Sequence, residues 1–199
     1  MIDEPGLRQR KKLQTRTRIE AAALDLFERQ GFDGTTVEEI AGAAQIAPRT
    51  FFSYFPTKED VVLADYAGRL ERIVEQLGDR PRTETPWAAL RASFVVVAAD
   101  YDTQRRELVR RFRIMADSAS VHARSLQLQS GWEDALAAAL GARMDDDTES
   151  LTSRLLASAA LSAMRSSQRH WIATGQTTPL PTLVESCFDQ LADGLADLG

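Results

Sequence analysis

The chain has 199 residues, of which 44% are hydrophobic and 27% charged, and its formal net charge is −5. This length and composition are typical of a globular protein with one large or two small domains, and the acidic balance argues against a protein that coats nucleic acid generally. The single cysteine, Cys187, excludes a disulfide within the chain and is expected to be a buried apolar residue. With neither a signal peptide nor an apolar run that could cross a membrane, we expect a cytoplasmic protein.

The chain begins with a basic segment and an amphipathic helix. Leu7 to Leu13 carries several cations and no acid. It could be a loose arm that contacts phosphates or enters the minor groove of DNA, or simply a solvated, frayed terminus. The first predicted helix has apolar residues at the i, i+3, i+4 spacing of one helix face, with Gly31 as its stop. The apolar residues are Ile19, Ala22, Ala23, Leu26 and Phe27.

Two short helices joined by a tight turn are predicted next. Thr36 and Glu39 form a capping box at the start of the second helix. Pro48 opens the third, which is predicted to run to Phe55, with Phe51 and Phe55 facing the core. The polar residues of the third helix lie on the opposite side: Arg49, Thr50, Ser53 and Tyr54. This arrangement is the helix-turn-helix pattern, in which the last helix enters the major groove.

The charge distribution around this pattern favours DNA. No Asp or Glu occurs between Ile40 and Lys58, although the chain as a whole is acidic. Thr57 and Asp60 are predicted to cap a fourth helix, with Lys58 in its first turn. A cation there opposes the helix dipole, so stability does not explain Lys58 well, whereas a bound phosphate would.

The remaining residues predict further helices and no strands, about nine helices in all. The fourth helix continues through residues 62–77, and Thr85 with Pro86 opens a fifth. A sixth and a seventh cover the apolar positions of residues 108–115 and 128–140. The acidic residues 145–147 start an eighth helix that reaches about Ala173, and Thr182 with Glu185 caps a ninth. The fold class is therefore all-α, with a C-terminal helical domain after the helix-turn-helix.

The residues from Gly31 to Val62, GFDGTTVEEIAGAAQIAPRTFFSYFPTKEDVV, resemble the TetR family of bacterial transcriptional repressors. Gln45 stands where the family usually has a turn glycine, and Ala47 where it usually has a capping serine. Phe52 replaces a frequent tyrosine. The stretch RTFFSYFPTKEDVV is also similar to actinobacterial regulators, including the mycofactocin-associated type.

The resemblance implies a DNA-binding domain at residues 1–56 and an effector-binding and dimerisation domain at residues 57–199. It also implies DNA contacts by Thr36 to phosphate, by Arg49, Thr50 and Ser53 to base edges, and by Tyr54 and Lys58 to the backbone. The chemistry agrees for Arg49, whose guanidinium can pair with guanine O6 and N7, although a merely solvated Arg49 is the alternative. The partner is then a double-stranded, near-palindromic operator.

The last two predicted helices, roughly residues 150–197, are expected to pair with a second copy. Helix-turn-helix proteins gain affinity by dimerising, and the resemblance implies an intermolecular four-helix bundle here. The eighth helix carries a stripe of small residues and the ninth an apolar ridge. They comprise Ala159, Ser162, Ala163 and Ser166, and Leu183, Leu191 and Leu195. Alternatively, these faces only cover the core of their own chain.

Bulky residues of the fifth to eighth helices are candidates for an effector cavity. They are Trp87, Phe94, Tyr101, Phe112, Met115, Trp132 and Met164. A filled core is the alternative for each of them. Arg111 lies on an apolar face, where it could meet an anionic group of the effector or form an i,i+4 ion pair with Glu107.

The resemblance implies a repressor, and we expect an unknown small molecule to release it from DNA. In the expected mechanism the effector selects a conformer whose fourth helix tilts the attached helix-turn-helix. A regulator or architectural protein without an effector is the alternative. We expect no enzyme, metal or cofactor, because the sequence has two histidines and one cysteine and lacks a phosphate-binding glycine loop or a nucleophile motif.

Overall fold

The computed structural model describes residues 6–145 and 150–194, and all regular secondary structure in these ranges is helical. The helices are α1 (Leu7–Gln30), α2 (Val37–Ala43), α3 (Pro48–Phe51), α4 (Lys58–Val62), α5 (Tyr66–Asp79), α6 (Pro86–Thr103), α7 (Arg105–Asp117), α8 (Ala119–Met144), α9 (Leu151–Ala173) and α10 (Leu180–Asp193). This confirms the all-α prediction. The described ranges hold ten helices rather than about nine because the predicted fourth helix is broken.

The break separates α4 from α5 at residues 63–65. Neither glycine nor proline marks it, and the apolar spacing from Val62 to Tyr66 continues across it, so the prediction of one helix is wrong. The physical reason lies elsewhere in the chain. Arg111 donates to the carbonyl oxygens of Val61 and Val62. In a continuous α-helix those oxygens would accept from amides four residues further on.

Several predicted boundaries also need correction. The basic segment at residues 7–13 is not a loose arm, because α1 already begins at Leu7. The third helix ends at Phe51 rather than Phe55, but residues 52–54 form turns in which the Tyr54 and Phe55 amides both bond to the Phe51 carbonyl, at 2.9 and 3.0 Å. Phe55 therefore still reaches the core, where it is 1% exposed.

The last two helices begin at different residues from those predicted. Helix α9 begins at Leu151, after Ser150 as N-cap residue, and not in the acidic stretch, of which Asp146 and Asp147 lie outside the described residues. Helix α10 begins at Leu180, two residues before the predicted cap. Its first turn contains Pro181, and proline fits there because its missing N–H would have no helical partner.

The described chain forms two compact units. The first comprises the residues up to Ala64 together with Glu107–Leu126, and the second comprises Asp65–Arg106 and the residues from Gln127 onward. Helix α8 contributes residues to both. The largest buried side chains of the first unit are Ile19, Leu24, Ile40, Phe51 and Phe55, and those of the second include Leu90, Phe94, Leu136, Trp171 and Phe188. The functional division at residue 56 differs from this one and stays a prediction.

Arg111 joins three helices of the first unit. Its Nε and Nη2 donate to Glu107 at 3.1 and 2.6 Å, and Nη2 also donates to Glu20 of α1 at 2.8 Å. Its Nη1 donates to the Val62 carbonyl of α4 at 3.1 Å. The ion pair with Glu107 is confirmed. Because the guanidinium is turned to protein acceptors and is 7% exposed, Arg111 has a structural role, and we leave it out of the effector site.

The turn between α2 and α3 contains a strained residue. Gln45 has φ = 55°, a left-handed conformation that glycine adopts more readily. The Ile46 amide nevertheless donates to the Ala41 carbonyl at 3.0 Å, which closes the turn. Ala47 follows as the N-cap residue of α3 without a side-chain hydrogen bond. The two departures from the family pattern thus weaken the turn and leave its hydrogen bonding intact.

Replacing Gln45 by glycine should raise the free energy of unfolding by about 0.5–1 kcal/mol, because the left-handed backbone no longer carries a Cβ. Chemical denaturation followed by circular dichroism measures the change. Gln14→Gly, in the exposed middle of α1, is the matched control and should lower stability by about 0.5–1 kcal/mol. A loss of stability in both variants would contradict the strain at Gln45.

Candidate DNA-binding surface and interior cavity

The helix-turn-helix presents an exposed polar surface, here called the α3 face, around Arg49, Ser53 and Phe52. Arg49 and Ser53 are exposed, and the Phe52 ring is 56% exposed. Thr50 and Tyr54 are half-buried. The sequence placed Phe52 at the margin of the helix. In the structure its ring is largely in solvent, where it contributes no burial to the stability of the isolated chain.

Two buried rings hold the α3 face outward. Phe51 and Phe55 are 0% and 1% exposed, with ring centroids 5.9 Å apart, which confirms them as core residues. The guanidinium of Arg16 in α1 lies 4.7 Å from the Phe55 ring centroid. Since both rings point into the unit, the residues between them that face the other way are left to the solvent.

Thr36 is exposed but already hydrogen-bonded. Its hydroxyl accepts from the Glu39 amide at 3.2 Å and donates to the Glu39 carboxylate at 3.0 Å, so the predicted capping box is present. The carboxylate also accepts from the Thr36 amide at 2.8 Å, and this bond lowers the pKa of Glu39 below its usual value. A phosphate contact by Thr36 stays a prediction.

Lys58 has a structural role that the sequence did not reveal. Its Nζ donates to the carbonyl oxygens of Phe32 and Thr35, at 2.8 and 2.9 Å, and lies 4.4 Å from the Phe32 ring centroid. The argument that stability does not explain this cation is therefore wrong, because Lys58 holds the turn between α1 and α2. Its contact with the DNA backbone stays a prediction.

The second unit contains a cavity of about 30 Å³, room for roughly one or two water molecules. Three of the predicted effector residues lie in its wall: Tyr101, Trp132 and Met164. The other apolar wall residues are Ile73, Val97 and Leu161. The polar wall residues are Tyr66, Arg69, Gln129, Arg165 and Gln168.

The other predicted effector residues do not join this cavity. Trp87 donates from its indole to the Phe188 carbonyl at 3.2 Å, and both Trp87 and Phe94 pack their rings on the Phe188 ring of α10. Phe94 is a core residue of the second unit, whereas Trp87 is half-buried. Phe112 and Met115 belong, like Arg111, to the first unit and are absent from the cavity wall. The cavity therefore includes three of the eight predicted effector residues, and an effector contact by the other five stays a prediction.

Arg69 is one of the wall residues that the sequence analysis did not predict. It is 4% exposed, pairs with Asp65 and donates from Nη2 to Gln104 at 3.2 Å. Its Cζ lies 3.9 Å from the Tyr101 ring centroid, and its buried Nη1 has no hydrogen-bond partner among the described residues. The sequence spacing could have indicated its burial, because Arg69 lies three residues after Tyr66 and four before Ile73. It therefore lies on the apolar face of its helix.

The other polar wall residues include two hydrogen-bonded pairs. Arg165 donates to Gln129 at 3.0 Å, and Gln168 donates to the Tyr101 hydroxyl at 2.8 Å. Burial raises the pKa of Tyr101 to about 12 and also raises the pKa of Tyr66, so both hydroxyls stay protonated at neutral pH. The described wall therefore carries two guanidinium groups and no acidic side chain.

Helix α9 has an exposed apolar start. Leu151 and Leu155 are 81% and 66% exposed. Further along the predicted small-residue stripe, Ser166 is exposed, whereas Ala163 is buried within its own unit. On α10, Leu183, Cys187 and Leu191 are half-buried, so Cys187 is less buried than expected, and Leu195 lies outside the described residues.

An exposed helix-turn-helix and an all-helical second unit with a cavity of apolar and polar side chains are typical of DNA-binding regulators. Among the described residues, no helix is long and apolar enough to cross a membrane, and no group of three or more His, Cys, Asp or Glu could hold a metal ion.

Comparison with models of known protein families identifies the family of this chain. The model for bacterial regulatory proteins of the tetR family matches residues 19–64, and the model for the MftR C-terminal domain matches residues 84–196, more than half of the chain. The chain belongs to the TetR family of transcriptional regulators and has a C-terminal domain of the MftR type. The resemblance found in the sequence, including the mycofactocin-associated subtype, is thereby confirmed.

Two relatives are named as transcriptional regulators. TcmR of Streptomyces glaucescens is 44% identical over 93 residues, which span 47% of this chain and less than half (41%) of TcmR. MftR of Mycobacterium tuberculosis, described as a mycofactocin biosynthesis transcriptional regulator, is 24% identical over 189 residues, or 94% of this chain and 93% of MftR.

Solved structures show the same fold. FadR of Thermus thermophilus, a transcriptional repressor crystallised with lauroyl-CoA, has a TM-score of 0.55 and 26% identity, over 90% of this chain and 94% of FadR. NalD, a repressor of a multidrug efflux pump in Pseudomonas aeruginosa, has a TM-score of 0.66 and 18% identity, over 92% of this chain and 97% of NalD.

Proposed function

We propose that this protein represses transcription by binding a near-palindromic operator as a homodimer in the bacterial cytoplasm, and that a small-molecule effector releases it. The observation that carries the proposal is the α3 face, which is exposed, contains Arg49 and lacks acids. Two of the nearby carboxylates are engaged locally, since Glu39 closes the capping box and Asp60 pairs with Arg124 at 2.9 Å. They therefore oppose an approaching phosphate backbone less than unpaired acids would.

Arg49→Ala should relax the base preference at one operator position and cost about 1–3 kcal/mol of binding free energy. Selection of bound DNA from a random pool, followed by titration of the selected sites, measures both. Tyr54→Phe is the matched variant, because it removes a single hydroxyl expected at the backbone. It should weaken all sequences alike, by about 0.5–1.5 kcal/mol.

Lys58→Ala is unsuitable for this comparison, because it also removes the bonds to Phe32 and Thr35. If Arg49→Ala and Tyr54→Phe shift the selected sequences in the same way, the assignment of Arg49 to base edges is refuted.

Exposed leucines support dimerisation through α9. Leu151 and Leu155 are four residues apart and so lie on one face of α9. Two apolar side chains this exposed are typical of an interaction surface. We expect a dimer at micromolar concentration in analytical ultracentrifugation and a monomer when both leucines are replaced by aspartate. Leu126→Asp, at a 52% exposed leucine of α8, is the control and should remain dimeric. A monomeric parent protein would contradict the proposal.

The effector proposal has two supports. FadR of Thermus thermophilus, which shares the fold, binds lauroyl-CoA, and the second unit of this chain has a cavity with apolar and cationic walls. Since the residues that line the cavity belong to α5, α6, α8 and α9, we place the effector site among these four helices. This location replaces the broader set expected from the sequence.

Helix α8 offers a route from the cavity to the helix-turn-helix. Gln129 and Trp132 of α8 line the cavity, and Arg124 of the same helix pairs with Asp60, which caps α4. A ligand that shifts α8 would disturb this cap. Since the predicted fourth helix is broken, α8 replaces it as the connecting element in the proposed mechanism. An effector that prefers the released conformer about 100-fold supplies roughly 2.7 kcal/mol.

A regulator without an effector is the second candidate, and the small volume of the cavity favours it. Titration with acyl-CoA thioesters distinguishes the two. Under the first proposal, a thioester that raises the melting temperature also lowers the affinity for the selected operator. If every compound that stabilises the protein leaves DNA affinity unchanged, the effector-free regulator is the correct description.

A further inference from the structure

We propose that the cavity of the second unit binds the carboxylate of an organic acid with an apolar body, and that Arg69 is the residue that receives the charge. The proposal deepens the effector role and rests on it for its regulatory meaning. The binding itself is testable without DNA.

The first argument is the state of the Arg69 guanidinium. Burying an N–H group without a partner is unfavourable, so native proteins contain few such groups and each calls for an explanation. Nη2 of Arg69 pairs with Asp65 and donates to Gln104, and Cζ lies 3.9 Å from the Tyr101 ring centroid. Nη1 remains buried in the cavity wall without a described partner. An oxygen of a bound molecule would satisfy it.

The second argument is the charge of the wall. Arg69 and Arg165 both line the cavity, and no described wall residue is acidic. Asp65 offsets Arg69 only in part, because its side chain is 44% exposed and therefore well hydrated. Tyr66 and Tyr101 remain neutral at physiological pH and add no negative charge. The site is thus electrostatically suited to an anion and unsuited to a cation.

The third argument is the apolar part of the cavity wall. This surface favours an anion with an apolar body over a small inorganic anion. Ile73, Val97, Leu161 and Met164 surround the polar groups with apolar surface, and the Trp132 ring lies 5.3 Å from the Tyr66 ring. Phosphate or chloride would leave this surface unused. An alkyl or aryl body would cover it, and flexible Met164 can move to enlarge a space that is now about 30 Å³.

Calorimetric titration and thermal shift with matched acids and amides test the proposal. The probes are butanoate, octanoate and dodecanoate, each compared with its amide, which has nearly the same shape and no charge. Inorganic phosphate and octanoyl-CoA complete the set. At least one carboxylate should bind about 10- to 100-fold more tightly than its amide, the range expected for a charge-assisted pair.

Arg69→Gln should remove this difference, whereas Arg72→Gln should keep it. Arg72 is the matched control because it is a cation of the same helix that lies outside the cavity wall and pairs with Asp100. Arg69→Lys keeps the charge and should therefore retain part of the preference for the acid over the amide. That result would show that the loss of this preference in Arg69→Gln does not come from misfolding. Circular dichroism of the unliganded variants provides the same check.

Several results would overturn the proposal. The proposal is wrong if acid and amide bind equally, or if Arg69→Gln and Arg72→Gln behave alike. It is also wrong if phosphate binds as tightly as the best carboxylate, or if octanoyl-CoA is the only probe that binds. Failure of the proposed function looks different. In that case a carboxylate binds through Arg69 but leaves operator affinity unchanged. Conversely, release of DNA by octanoyl-CoA without binding of any free acid keeps the effector role and refutes the carboxylate site.

Discussion

Arg111→Met should lower the free energy of unfolding by about 3–5 kcal/mol, the cost typical of removing one partner from a buried ion pair. Methionine keeps the apolar stem but donates nothing. The Val61 and Val62 carbonyls lose a hydrogen-bond donor, and Glu20, whose side chain is 20% exposed, loses one of its two ion pairs. Because these bonds join α1, α4 and α7, the loss affects the whole first unit.

Arg110→Met is the matched control for this prediction. Arg110 precedes Arg111 in the same helix and also forms two ion pairs, but its partners Asp25 and Glu28 have side chains that are 61% and 47% exposed. Exposed pairs contribute little, so the loss should stay within about 1 kcal/mol. Urea denaturation followed by circular dichroism measures both variants. Similar losses in both would show that burial does not set the strength of the Arg111 network.

Phe51→Ala should lower the free energy of unfolding by about 3–5 kcal/mol, as expected when a buried aromatic ring is replaced by a methyl group. Phe51 is fully buried and packs against both Phe52 and Phe55, with ring centroids 5.5 and 5.9 Å away. The cavity left behind lies directly beneath α3. The helix has four residues and little stability of its own, so DNA binding should be lost together with folding.

Phe52→Ala separates stability from DNA binding at the neighbouring position. The ring is 56% exposed, so its removal should change stability by less than about 0.5 kcal/mol. If this ring contacts a thymine methyl, operator affinity should still fall. Thermal unfolding and DNA titration of the two variants give the comparison. Equal destabilisation by both substitutions would contradict the orientation of α3.

The helix-turn-helix could be predicted from the sequence because its signals are local. Both capping boxes, at Thr36 and at Thr57, depend on residues three positions apart. The burial of Phe51 and Phe55 follows from their spacing of four. Gly31 was predicted as a stop and has φ = 80°.

Lys58 and Arg111 also have distant partners, which the sequence did not indicate. Lys58 bonds to carbonyls 23 and 26 residues away, and Arg111 bonds to Glu20, 91 residues away. Periodicity assigns such a residue to a face of its helix but does not show which acceptors the fold brings there. For the same reason the break between α4 and α5 was missed, since Arg111 occupies the carbonyls at which α4 ends.

By itself the sequence determined the helical class, the helix-turn-helix and the family, because helix periods, caps and the family motif are properties of neighbouring residues. Only the tertiary structure decided which bulky side chains share a cavity, that Arg69 rather than Arg111 faces it, and that Lys58 stabilises a turn. Those outcomes depend on which helices pack together, and packing brings into contact groups whose separation along the chain carries no local signal.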